Sequence, residues 1–499
     1  MTSVGKNGRS STGLPVGMSV ELDPEVVVKP DGTVFGGSPA RLFRLNPAGQ
    51  EAFSQLRSGV VGTAAAAALA RRFSDAGLVH PQRQGLPAEN EGRPARRGTV
   101  TVVVPVRDRA AELERCLAGL GAGEQEAVAE VIVVDDASHD PAAVAAVAQR
   151  HGARVIVRTV NGGPGPARNE ALKQVGTPLV AFLDSDCLPS EGWIDDLVGH
   201  FDDPLLAAVA PRVVAGGRAA RTFAERFTQA RPVLDLGGLP ARVAPLSRVS
   251  YLPTAALILR REALEDVSGH RGFDEDLRFG EDVDLVWRLL EAGWRVRYDP
   301  SVEIGHEDPS AWKDLLRRRF AYGTSAAALE QRHPGKVAPL VAVAAPVSTV
   351  AALLARRPVL AAVTFAAGYA DSWMALKKAG TDPDDLLRPL AVGVRETFFG
   401  IGRWTSQFAL PVAVAVAAVP GNRRRGRLLA AAALVVAPPV REWLRDKPDI
   451  DPVRWTAAVL MDDAAYGAGV WAGSFRRRHF RAVRPSWKWR LLGSVTRSR

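Results

Sequence analysis

Four stretches between residues 99 and 184 are apolar without alternation: TVTVVVPV (99–106), EVIVVDD (130–136), ARVIVRTV (153–160) and PLVAFLD (178–184). A strand with one wet face alternates apolar and polar residues. A strand apolar on both faces is covered on both, as in a parallel sheet between helix layers. Between these runs lie RAAELERCLAGL and DPAAVAAVAQRHG, whose apolar spacing predicts the covering helices. The pattern predicts an α/β domain over residues 99–330, with ligand sites at the carboxyl ends of its strands.

The flanks read differently. Residues 1–17 are expected to be a disordered leader, and their lack of an apolar core argues against a secretory signal. Residues 18–80 combine short alternating runs around a Pro-Asp-Gly turn with two helices, the first opened by Asn46 and the second stopping at Gly77. Residues 81–98 are rich in Pro, Gly and charge, which marks a linker. Residues 331–475 are dominated by Ala/Val-rich runs such as 337–355, 358–370, 408–420 and 428–440. Each is near or below bilayer-spanning length and is interrupted by Pro or Arg. They predict a helical module that either rests on a membrane or packs as a soluble bundle. The tail, 476–499, mixes cations with Phe and Trp, a composition suited to an anionic membrane interface or to a solvated tail.

Composition adds little to the fold but narrows the setting. At 47% hydrophobic and 24% charged the 499 residues are ordinary globular protein. A net charge of +10 suits an anionic partner such as a nucleotide or an acidic membrane surface. Basicity alone is no sign of nucleic-acid binding, and none is expected. Two cysteines, Cys116 and Cys187, support no disulfide scaffold, so a reducing cytoplasmic location is expected.

The candidate chemistry sits at strand ends. Asp135 and Asp136 close the second run, where a carboxylate accepts hydrogen bonds from a nucleoside; a plain helix cap at Asp136 and Ser138 explains the same residues. NGGPGPARNEAL (161–172) is a Gly/Pro loop entering a helix, and it sets Arg168 to meet a phosphate or forms an ordinary loop. Asp184-Ser185-Asp186 ends the fourth run, and paired carboxylates there suit Mg²⁺ or Mn²⁺ shared with a diphosphate, although Asp pairs are also common in turns. In GHRGFDEDLRFGEDVDLVWRLLEAGW (269–294) the helical spacing begins near Glu281 and Asp282. Acids there compensate a helix dipole, or place a rigid carboxylate where it takes a proton from an acceptor hydroxyl. His306 follows another strand-like run and offers a nitrogen to the same cation.

Taken in order, VTVVVPVRDRAAELERCLAGL, EVIVVDDASHD, GPARNEAL, VAFLDSDCLP and GFDEDLRFGEDVDLVWRL resemble the family-2 inverting glycosyltransferases of the GT-A fold, a Rossmann-like, mostly parallel sheet with flanking helices. The resemblance implies a UDP-sugar donor, contacted by Pro105, Asp135, Asp136, Arg168, Asp184 and Ser185, with Arg317 and Arg319 of LRRRFAYG near the diphosphate. It implies a divalent cation held by Asp184, Asp186 and His306, and Asp282 as general base. Ala137 stands where the family usually has Gly, and Cys187 where a third Asp is frequent. RRRFAYG replaces the signature of processive polysaccharide synthases, which argues against long-chain synthesis.

Residues 18–80 are similar to the winged-helix-like peptide-chaperone domains of peptide-modifying pathways. The three-part architecture resembles the glycosyltransferases of the mycofactocin system. That resemblance implies transfer of glucose from UDP-glucose to a peptide-derived redox cofactor, and contact of the small domain with a precursor peptide or pathway protein. It also implies a cytoplasmic enzyme at or near the inner face of the membrane. A cell-envelope lipid or polysaccharide acceptor and a non-catalytic nucleotide-sugar scaffold are the competing readings. A nicotinamide dehydrogenase is excluded, because PVRDRAAE supplies no Gly-rich turn after the first strand. A sugar-nucleotide pyrophosphorylase meets the same objection.

Overall fold

The computed structural model describes residues 12–82, 96–121, 125–217, 219–268, 272–378 and 386–488. Residues 1–11, 83–95 and 489–499 of the expected leader, linker and tail lie outside it, as do 269–271 at the start of the 269–294 stretch. The chain divides into two compact units, Met1–Ala219 with Arg231–Asp308, and Ala220–Ala230 with Pro309–Arg499.

The first unit begins with β1 (Val20–Leu22), β2 (Val27–Val28), β3 (Thr33–Gly36) and β4 (Arg41–Arg44), then α1 (Pro47–Leu56), α2 (Ala64–Ser74) and β5 (Val79–Pro81). β2, β3 and β4 form an antiparallel sheet, and β1 pairs with β5. Asn46 and Thr63 cap the two helices by accepting the Gly49 and Ala66 N–H groups. Phe43, Phe53 and Phe73 meet at centroid distances of 5.2 and 5.6 Å. Leu14 is buried in the same core, and its N–H donates to the Ala67 carbonyl. Part of the expected disordered leader is therefore packed, because one apolar residue found a pocket between the helices.

The large sheet follows: β6 (Val100–Val106), α3 (Ala110–Gly121), β7 (Val128–Asp136), α4 (Pro141–Arg150), β8 (Arg154–Arg158), α5 (Pro164–Leu172), β9 (Leu179–Leu183), β10 (Cys187–Leu188), α6 (Trp193–Val198) and β11 (Leu206–Ala215). The chain then supplies α7 (Phe223–Ala230) to the second unit and returns with β12 (Ala241–Arg242), β13 (Ala256–Arg260), α8 (Arg261–Ser268), α9 (Glu281–Glu291) and β14 (Arg295–His306). Strand order is β10-β14-β11-β13-β9-β6-β7-β8, with β12 on β14. The strands β6 to β9 are parallel; β13 is antiparallel to its neighbours β9 and β11, and β14 runs parallel to β11. The carboxyl ends of β6, β7, β9 and β14 therefore share one edge. Alternate residues face opposite helix layers. Val102, Val104, Ala181 and Leu183 pack with Leu113, Val144 and Trp193, while Phe182 turns the other way to meet Phe273.

Asp203, in the turn before β11, joins the small N-terminal part to the sheet. It is fully buried and accepts from Arg71 of α2 (2.9 and 2.5 Å) and from Arg297 of β14. Nearby, Arg295 forks onto Asp75 at 2.6 and 2.7 Å. Residues 18–80, expected to stand apart, belong to the same compact unit as the transferase sheet.

The second unit is helical: α10 (Trp312–Thr324), α11 (Ala326–Arg332), β15 (Val341–Val343), α12 (Ala344–Leu354), α13 (Pro358–Lys378), α14 (Leu387–Trp404), α15 (Leu410–Ala418), α16 (Arg424–Asp446), α17 (Pro452–Arg477) and β16 (Ser486–Lys488). Phe227 of α7 packs against Trp312 and Trp455 at 5.2 and 5.5 Å. α10 and α17 cross with their backbones in contact. A Cβ at Gly469 would lie 2.0 Å from the Phe320 carbonyl oxygen, and one at Gly323 would lie 2.2 Å from that of Tyr466. Hence α10 and the start of α11, which fall within the expected 99–330, group with the helical unit. Gly469→Ala is expected to destabilise that unit by about 1–3 kcal/mol, the range for overpacking, read as a lower midpoint in urea. The tail is docked as far as residue 488, where β16 pairs in parallel with β15.

Candidate active site

Every strand that ends on the shared edge contributes polar groups to it. The loop after β6 carries Asp108, whose N–H donates to the Ser138 hydroxyl (2.9 Å) and whose carboxylate accepts the His139 N–H (2.7 Å), tying the first two strand ends together. Ala137 has φ of 60°, the left-handed region that glycine adopts more easily, which accounts for a Gly being the commoner residue there. The cap of α4 is Asp140, which accepts the Ala143 N–H at 3.0 Å, not Asp136 or Ser138.

Asp135 and Asp136 occupy different niches. Asp135 is fully buried; one oxygen accepts the Ser138 N–H (2.9 Å), and its Oδ2 has no partner among the described residues. Asp136 is taken up by the 161–163 loop. It accepts from Gly162 N–H (3.1 Å), Gly163 N–H (2.6 Å) and the Arg158 guanidinium. The base contact expected of Asp136 would have to displace Arg158, so the open oxygen of the pair is on Asp135. Pro105 is buried one residue before the end of β6, in register with Val134.

Arg168 differs most from expectation. It is 1% exposed, on the inner side of α5. Its Nη2 donates to Asp184 Oδ1 (2.6 Å) and its Nη1 to Glu281 Oε1 (3.1 Å), with Phe273 and Phe182 rings at 5.4 and 6.0 Å. The side chain stands behind the carboxylates and joins them, so the expected role in meeting a phosphate is corrected to one of holding Asp184 and Glu281. Burial opposes its charge, but Asp184 and Glu281 more than compensate and raise its pKa.

Glu281 and Asp282 open α9, whose preceding Gly280 has φ of 79°. Burial and the neighbouring Asp282 charge push Glu281 above the usual carboxylate range. Burial also raises Asp282, and Asp184 adds to the shift, although the Val283 N–H at 2.8 Å acts the other way. A raised carboxylate beside an open strand end is suited to exchanging a proton.

Asp186 lies on the far side of buried Ser185. It is paired with Arg109, from the loop after β6, and its Oδ1 lies 3.6 Å from His306 Nε2. The backbone fixes this approach, since β10 pairs antiparallel with β14 and Cys187 sits opposite His306. Asp308 faces the other imidazole nitrogen at 3.5 Å. A carboxylate oxygen and an imidazole nitrogen this close fit a Mg²⁺ or Mn²⁺ ion. Among the described residues no group of three or more His, Cys, Asp or Glu side chains is placed to hold a metal ion by itself. Asp184 is turned toward Arg168, so the two members of the acidic pair have different immediate partners.

Arg109 went unrecognised in the sequence; the signal was a pair of arginines directly after the first strand, in PVRDR. Arg317 and Arg319 lie on α10 in the second unit. Arg319 donates to Asp462 (2.6 Å) and stacks on Tyr466 (5.3 Å), so its guanidinium is engaged within that unit, while Arg317 is exposed.

Residues 101–267 match the glycosyl transferase family 2 profile. Over 496 residues, 95% of this chain and 99% of the relative, the sequence is 36% identical to the pre-mycofactocin glycosyltransferase of Mycobacterium tuberculosis. It is 32% identical over 260 residues to the N-acetylglucosaminyl-diphospho-decaprenol L-rhamnosyltransferase of the same organism, covering 45% of this chain and 81% of that one. Among solved structures it is similar to a mannosyltransferase from Pyrobaculum calidifontis in complex with GDP-Man and Mn²⁺, at 21% identity and a TM-score of 0.43, over 77% of this chain and 90% of that one. The mixed, mostly parallel sheet flanked by helices is the GT-A fold. The chain belongs to the family-2 glycosyltransferases, and 95% of its length aligns with a pre-mycofactocin glycosyltransferase.

Proposed function

We propose that this transferase moves glucose from UDP-glucose, with inversion at the anomeric carbon, onto a hydroxyl of the peptide-derived redox cofactor mycofactocin or its precursor. The acceptor is supported by the full-length relative's name. The observation that supports the chemistry is the Arg168 bridge from Asp184, just past the end of β9, to Glu281, which sets its neighbour Asp282 near enough for the Asp184 charge to raise its pKa. The acceptor oxygen attacks the anomeric carbon, the bond from that carbon to the diphosphate oxygen breaks, and the hydroxyl proton passes to Asp282. Asp135, with its open buried oxygen, and Pro105 line the nucleoside end. Asp186 and His306 would hold a divalent cation with Asp184 nearby. When bound, that cation supplies positive charge to the departing diphosphate. Arg109, paired with Asp186, is assigned to the same phosphates.

Residues 18–80 are assigned contact with a precursor peptide or a pathway protein, supported by exposed Val27, Val28 and Phe35 on their small sheet. The same reading assigns the reaction to the cytoplasm, where a nucleotide-sugar donor is at hand.

The test is to incubate the purified chain with UDP-glucose, Mn²⁺ and the pre-mycofactocin acceptor, measuring UDP release and the product mass. Hexose on the acceptor is expected; UDP-glucose left intact with every acceptor would refute the assignment. Asp186→Ala is expected to weaken Mn²⁺-dependent UDP binding by about 10- to 100-fold in calorimetry. Unchanged affinity would remove Asp186 from the cation site.

A further inference from the structure

Three helices of the second unit expose apolar stripes. On α13 the exposed positions Val359, Ala362, Val363, Ala366, Ala367, Ala370, Trp373 and Met374 follow one another at helical spacing, and none of them is polar. In α15 exposed Pro411, Val412, Val414, Ala415, Val416 and Ala418 leave almost the whole helix bare of polar cover. A third stripe runs along α16 through Leu428, Leu429, Ala432, Ala433 and Val436. Val359 is 78% exposed, Val412 63% and Leu429 60%. A helix of a soluble bundle turns such a stripe inward. Contiguous exposed apolar faces of this extent mark a surface that is covered in use.

A second feature names the cover. The turn between α12 and α13 carries Arg356 and Arg357, and the turn between α15 and α16 carries Arg423, Arg424 and Arg425. The two turns lie at the same end of the helices, because a Cβ at Gly426 would sit 3.8 Å from the Arg356 guanidinium carbon. All five arginines are exposed, and exposed Leu353, Val359, Leu360, Leu428 and Leu429 surround them. At the opposite end of α13 stand exposed Lys377 and Lys378. Apolar stripes bordered by cations match an anionic lipid surface, whose acyl region takes the stripes and whose phosphates take the arginines.

We propose that the second unit docks on an anionic phospholipid bilayer through α13, α15 and α16, with the arginine cluster on the lipid phosphates. The contact lies along the interface. α15 has 9 residues and is about 13 Å long, under half of the hydrocarbon thickness of about 30 Å. Among the described residues only α13 has the length and composition to cross, and the stripe on the shorter α15 could not span beside it.

The experiment is flotation of the full chain with vesicles of phosphatidylcholine alone or mixed equally with phosphatidylglycerol. The chain is expected to float with the anionic vesicles at low salt, to bind neutral ones more weakly, and to be partly released by salt. R357E/R424E/R425E is expected to lower binding to anionic vesicles on the order of a hundredfold, as three charges of about fivefold each would. V359D/V363D/V414D is expected to lose binding to both. Both variants alter exposed residues, so their thermal melts and UDP-glucose turnover should match the parent. Three results would overturn the proposal: no flotation with either vesicle, flotation indifferent to both variants, or a dimer in solution that V359D/V363D/V414D dissociates while vesicles bind nothing.

Discussion

Asp282→Asn is expected to lower the turnover of glycosyl transfer by about 10²–10⁴-fold while leaving UDP binding nearly intact, the range for losing a positioned base. The asparagine keeps the shape and still accepts the Val283 N–H that the carboxylate accepts at 2.8 Å. It takes no proton from the acceptor. The parent's pH profile carries a second signature. As the proposed base, Asp282 would act only when deprotonated, and burial together with Asp184 raises its pKa. The rate should therefore climb with pH along an acid limb displaced upward from that of a solvated aspartate, and the limb should vanish in the variant. UDP-release rates across pH, with calorimetric UDP affinity at neutral pH, check both points. A variant with parental turnover would show that another group takes the proton.

Asp203→Ala is expected to destabilise the first unit by about 3–5 kcal/mol at neutral pH, the usual result of removing one partner of a buried ion pair. The substitution leaves Arg71 and Arg297, both nearly buried, without the carboxylate they share. Burial on its own would raise the Asp203 pKa, but Arg297 and Arg71 hold it below the usual carboxylate range. The sign of the pH dependence follows. A carboxylate depressed by folding stabilises above its unfolded pKa of about 3.9, and that contribution is lost as pH falls through the lower folded value. Urea midpoints of parent and variant should therefore differ most near neutrality and converge only in strong acid. A constant gap down to strong acid would mean that the cost is one of packing rather than charge.

The sheet was legible in the sequence because doubly covered strands cannot alternate, and 99–106, 130–136 and 178–184 did not. The strand-end carboxylates were legible only in company: an Asp pair is common in turns, and it was the order of five such elements along the chain that set these apart. Their partners were hidden. Arg168 looked like a phosphate contact because its loop is glycine-rich, and nothing local shows that α5 turns it inward against Asp184 and Glu281. Arg109 lies 77 residues from Asp186, and only the parallel order of β6 and β9 brings the two together. Contacts between segments were hidden in the same way. Leu14, Asp203 and Gly469 each decide which segments share a core, and each does so through a contact remote in sequence.

The glycine-lined crossing of α10 and α17 bears on the basic stretch that α10 carries. With no side chain between the two backbones, the helices have neither a cushion on which to slide nor slack in which to rotate. Arg317, Arg318 and Arg319 are thus displayed in a preset order, with the last of them already anchored to Asp462. An anion that comes to this stretch meets a fixed helix, on which Arg319 is already held by Asp462 and the exposed Arg317 side chain has still to be ordered.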